Sequence, residues 1–147
     1  MKKLFAVLAL VVSFSALAGQ QKVSFTYSGF EGSNRYFYAC DYAEGQTESF
    51  LKLFGATEIR VSCFGGIQFG QMSPVTVRAT FEAPDMVGNE MATISTVKGD
   101  RSNPACGLNT TIVRNLLPAF SNVKVLSKSD SCAFSSTNYS YTFEILK

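Results

Sequence analysis

Apolar and polar residues alternate with a period of two along much of this chain. Val23, Phe25 and Tyr27 flank Ser24 and Thr26. Val75, Val77, Ala79 and Phe81 alternate with Thr76, Arg78, Thr80 and Glu82, and Tyr139, Tyr141, Phe143 and Ile145 with Ser140, Thr142 and Glu144. Such runs predict half-buried strands, one face on a core and one in water. Shorter strand candidates span 35–40, 58–63, 90–97 and 122–127. One-sided alternation favours antiparallel pairing over the continuous apolar strands of a sheet covered on both faces.

Two segments change period and predict helices. Ala43, Thr47, Phe50, Leu51 and Phe54 share one helical face, with Asp41 placed to cap the start and Gly55 the end. Gly45 weakens the first turn. Leu108, Ile112 and Leu116 share a second face, which Val113 and Leu117 widen and Pro118 ends. Asn103-Pro104 suits the start of that helix, with Asn109 as a later alternative.

Taken in order, residues 22–63 read as strand, strand, helix, strand. Residues 74–132 read the same, and a last strand spans 139–146. Phe50, Leu53 and Phe54 find counterparts 63 residues on in Val113, Leu116 and Leu117. The expected architecture is therefore α+β: a mainly antiparallel sheet of about seven strands with two helices on one face, built from two duplicated ββαβ units.

The first eighteen residues follow a different logic. Lys2 and Lys3 precede an unbroken apolar run, Leu4 to Val12, and Ala16-Leu17-Ala18 supplies small residues before a cut. This pattern predicts a signal peptide at 1–18, since the run is about half of the ~20 residues that span a bilayer. The expected product is a single disulfide-stapled domain, 19–147, in the periplasm or secreted, with no membrane span.

Composition acquires meaning after that removal. The full chain carries 13 basic and 11 acidic residues. Lys2 and Lys3 account for the excess, which leaves a formally neutral domain with no charge signature of a nucleic-acid or membrane-surface partner. The chain has no His, which excludes His-based nucleophilic catalysis and imidazole metal ligation. Cys40, Cys63, Cys106 and Cys132 form an even set separated by 23, 43 and 26 positions, with no C-x-x-C pair. In an oxidising compartment such a set predicts structural cystines and no bound metal or cofactor. A strand–helix–strand crossover lays its strands parallel and brings their ends to one edge. On that geometry the pairs are Cys40–Cys63 and Cys106–Cys132.

The most unusual segment runs from Cys63 to Pro74, where Phe64, Ile67, Phe69 and Met72 stand among three glycines. It lacks Gly-Lys-Ser/Thr and a following helix, which argues against a phosphate cradle. The corresponding stretch, 128–138, is rich in Ser. The apolar flap either folds back as a lid on its own core or forms an exposed contact patch. Other chemistry is sparser. Asp41 with Glu44, and Asp85 with Glu90, are the carboxylate pairs available to a His-free hydrolase, although Asp41 and Glu44 suit a helix start. Asp100 to Asn103 lacks calcium-loop spacing. Tyr36 with Tyr38, and Tyr139 with Tyr141, form either an open ladder for sugars or packing beneath helices. Asn109 and Asn138 head glycosylation triplets. The leading expectation is a non-catalytic binding or inhibitor-like module. Its binding residues are Phe64, Ile67, Phe69 and Met72, and its partner is a protein or an apolar or glycan ligand. A carboxylate-dependent hydrolase and a structural envelope protein are the alternatives.

Overall fold

The computed structural model describes residues 19–31, 34–86, 91–99, 105–132 and 139–147. The first half contains β1 (Gln20–Tyr27), the short strands β2 (Phe30–Glu31) and β3 (Asn34–Arg35), helix α1 (Cys40–Leu53), and the long strands β4 (Thr57–Gln68) and β5 (Gln71–Glu82). The second contains β6 (Ala92–Lys98), helix α2 (Cys106–Leu116), a 3₁₀ turn (Leu117–Ala119), β7 (Val123–Ser129) and β8 (Ser140–Leu146).

The fold is α+β, with two helices and antiparallel pairing throughout. In place of one sheet of about seven strands there are two three-stranded sheets, ordered β1-β5-β4 and β6-β8-β7, and a two-residue ladder between β2 and β3. Alternation shows which face of a strand is buried but not which strand lies beside it. In each half the last strand returns to the centre, between the two that preceded it.

This arrangement also corrects the expected ββαβ phase. Each half runs strand, helix, strand, strand, leaving the β2–β3 ladder aside. The candidate strand at 35–40 is divided between the end of β3, an extended link and the first residue of α1. Residues 75–81, expected to open a second unit, form the middle strand of the first sheet. The helices, and the strands after them, begin 66 residues apart, at Cys40 and Cys106 and at Thr57 and Val123. The 63-residue correspondence is thus out by almost one helical turn.

The helix starts differ from expectation too. Ala39 and Ala105 occupy the N-cap positions, and neither helix has a side-chain cap hydrogen bond. Asp41 lies inside the first turn of α1, where its charge favours the helix dipole. Asn103-Pro104 lies outside the described residues, and Asn109 is buried within α2. Gly55, at φ 87°, does end α1: its N–H donates to the Lys52 carbonyl, and that of Ala56 to Leu51.

One apolar cluster joins the halves. Phe54, at the end of α1, meets Phe143 of β8 at 5.1 Å between ring centroids. Phe120, beyond α2, stacks on Phe81 of β5 at 5.2 Å. Phe54 and Phe120 then meet each other edge to face, also at 5.2 Å. Each helix end therefore packs on the other half's central strand. Asn122 ties the same seam, its Nδ2 donating to the carbonyls of Phe54 (2.9 Å) and Leu146 (3.2 Å). Buried polar groups need such partners to offset desolvation.

Candidate functional site

The disulfides set the geometry of the site. Cys40 is joined to Cys63 and Cys106 to Cys132, with Cα separations of 5.5 and 5.6 Å. These are the expected partners, but the edge-meeting argument does not describe them. β1 and β4 are separated by β5, and the bond instead runs from the first residue of α1 to β4. Among the described residues no cluster of three Cys, Asp or Glu is placed to hold a metal ion.

The segment expected to be a flap is not a loop. It is the distal part of the β4–β5 hairpin, whose two strands are twelve residues each. Gln68 pairs with Gln71, so the turn consists of Phe69 and Gly70 alone. Both have positive φ, 49° and 76°, as the tight hairpin turn that matches strand twist requires. Asn-Gly is the usual occupant of such a turn. Phe is disfavoured there, because its Cβ crowds the backbone at positive φ.

The hairpin is held from below. Gly65 and Gly66, at φ 81° and 80°, form an irregularity in the ladder before Ile67. A Cβ on Gly66 would sit 2.5 Å from the Tyr38 carbonyl oxygen, and one on Gly65 would collide with that of Pro74. This closeness lets the Ile67 N–H donate to the Tyr38 carbonyl at 3.1 Å. With the Cys40–Cys63 bond, it fixes the hairpin to the link that precedes α1.

The tip is exposed. Phe69 is fully accessible at 102%, Met72 at 66%, Phe64 at 53% and Ile67 at 44%. Ile67 pairs with Met72 and Phe64 with Thr76, so these side chains share the outward face of the first sheet. Phe64 is partly covered by the Arg78 guanidinium, 5.0 Å from its ring centre. Phe30, exposed on β2, is covered in the same way by Arg35 at 4.9 Å. Phe69 has no such cover among the described residues.

Behind the tip the same face becomes polar, then basic. Thr26 and Thr76 share a hydrogen bond across β1 and β5 at 2.9 Å. In the next row Ser24 and Ser62 flank Arg78, and in the one after Lys22 and Arg60 flank Thr80. Sequence inspection missed this group, because its three cations come from three strands and stand singly in the chain. Period two places Arg78 on a solvent face; only the register gathers the three.

The remaining candidates are placed elsewhere. Tyr38 lies against Tyr27 and Tyr42, each 5.6 Å away, and burial raises the Tyr42 pKa. Tyr139 is buried and accepts a hydrogen bond from Asn109 Nδ2 at 2.7 Å. Tyr141 is buried too, stacks on Phe143 and donates to Asp130 Oδ2 at 3.3 Å. Burial, followed by the Asp130 charge, raises its pKa against the opposing effects of Thr110 and Arg114. Tyr139 and Tyr141 therefore pack inside, while Tyr36 and Tyr38 are half-buried in the link before α1, so neither pair forms an open ladder. Asp41 and Glu44 lie on α1, Asp85 is exposed after β5, and Glu90, Asp100 to Asn103 and Asn138 fall outside the described residues. Burial of Asn109 closes that glycosylation triplet in the folded chain.

Among known proteins no family model, curated protein or solved structure matches this chain.

Proposed function

We propose that the chain is an exported, non-catalytic binding module that engages its partner through the tip of the β4–β5 hairpin. One observation carries this: Phe69 is fully exposed at a turn position whose positive φ disfavours it. A side chain that opposes its own backbone and buries nothing contributes no stability to the fold. Its chemistry serves contact with something else, and Phe64, Ile67 and Met72 extend that surface. The tip is convex, so it cannot enclose a small ligand in the way a cleft does. Its partner therefore supplies the concavity or the apolar medium.

The cystines support export, since such bonds persist in oxidising compartments. The basic start and apolar run at 2–12 supply the signal for it. No described helix is long and apolar enough to cross a membrane. No observation among the described residues favours the carboxylate hydrolase or the structural envelope protein over this function.

Phe69→Asn separates contact from folding. It relieves the turn and raises unfolding stability by about 0.5–1 kcal/mol, while partner engagement falls. Changing Phe64, Ile67 and Phe69 together to Ser abolishes capture of the partner from the native envelope, with circular dichroism unchanged. Undiminished capture rejects this surface.

A further inference from the structure

We infer that the partner of the hairpin is an anionic lipid surface, on which the outward face of the first sheet lies obliquely with its tip deepest. This rests on the proposed docking role of the tip and adds the chemistry of what it meets. The face is graded along the strands. Phe69 stands at the end, Ile67 and Met72 come next, then one row of Phe64, Thr76 and Thr26, then Arg78, and finally Lys22 and Arg60. Glu58 and Glu82, the acids of these three strands, stand at the far end beyond the cations. Among the described residues no carboxylate lies within ion-pair distance of Lys22, Arg60 or Arg78.

Spacing follows from the ladder. Lys22 and Arg60 flank Thr80 across two strand intervals, about 10 Å apart, and Arg78 is one row nearer the tip. From the turn to Arg78 is roughly 25 Å along the strand. An end-on hairpin would hold that arginine clear of the surface. An oblique one sets the apolar row at the acyl boundary and the three cations among the phosphates. Apolar groups at that boundary and long basic side chains at headgroup level are how interfacial proteins hold an anionic membrane. A protein groove for the tip has no need of an unpaired cationic field beside it. Charge complementarity therefore selects the bilayer.

The chain has no Trp, so Phe69→Trp gives a single fluorescent reporter at the tip. Vesicles of phosphatidylcholine with about 30% phosphatidylglycerol are expected to shift its emission to the blue and to sediment the otherwise unaltered exported protein at low salt. Replacing Lys22, Arg60 and Arg78 together by Gln is expected to weaken sedimentation about 100-fold, at roughly fivefold per basic residue near an anionic surface. Phe69→Asn, which leaves the fold intact, is expected to weaken it at least about tenfold. Absence of vesicle binding, an unshifted Trp, or binding indifferent to the three cations overturns the inference. If vesicles fail while the Ser variant still loses a protein partner, the docking role stands and the lipid surface falls. If both assays are negative, both fall.

Discussion

The β4–β5 and β7–β8 pairs occupy the same place in the two halves, and they differ most in the length of their strands. Each has a helix before it, a cystine at that helix start, and its second strand at the centre of a sheet. Each contributes one phenylalanine from its central strand to the ring cluster at the seam. Even the outward hydroxyl pair recurs, Thr26 with Thr76 and Thr96 with Thr142. Yet β4 and β5 have twelve residues each, against seven in β7 and β8. The extra length carries the exposed Ile67, Phe69 and Met72. Because β7 and β8 reach the same core with seven residues each, the added length of β4 and β5 is not what builds that core, which agrees with the contact role proposed for its apolar residues.

The sharpest way to break the comparison is at the shared seam. Phe54 is fully buried among Phe50, Phe120 and Phe143. Phe54→Ala is expected to cost about 3–5 kcal/mol in chemical denaturation, in one transition reported equally by both halves. Two separate transitions would show that the halves fold independently. Phe120→Ala is expected to behave alike, and the double variant to lose less than the two single losses added, since the rings touch.

The cystines come next. Their sequence separations are 23 and 26, so each contributes about 3 kcal/mol through loop closure. Cys106 is fully buried and Cys40 half-buried. Replacing Cys106 and Cys132 by Ala is therefore expected to cost more than replacing Cys40 and Cys63. Hydrogen exchange discriminates further. The Ile67 amide, bonded to Tyr38, loses protection when the first cystine is removed and keeps it when the second is. Equal loss in both variants would mean that the hairpin is not held by its own staple.

The smallest effect is one of pH. Tyr141 lies in the second half with its pKa raised above 10 by burial. Its contribution is fully present below pH 10 and is lost as pH rises through the folded pKa, because the unfolded chain ionises first. Tyr141→Phe is expected to flatten the alkaline decline of stability. An unchanged slope would assign that decline to other groups.

The strands at 23–27, 75–81 and 139–145 were legible because a half-buried strand imprints a period of two on its residues. The faces of α1 and α2 were legible for the corresponding reason at 3.6. The cystine partners were legible too, although for a neighbourhood of strands that does not exist. Strand order was not, since the last strand of each half inserts at the centre and no local pattern records that step. The sequence by itself determined most of the elements and their buried faces, the apolar residues 64–72 and the even balance of charge over residues 19–147. Only the tertiary structure decided that those apolar residues project from a stapled hairpin. It alone drew Lys22, Arg60 and Arg78, each solitary along the chain, onto one face behind the tip. The reason is physical: periodicity fixes the face a side chain takes within its strand, while register and strand order fix its neighbours, and these depend on contacts between residues remote in sequence.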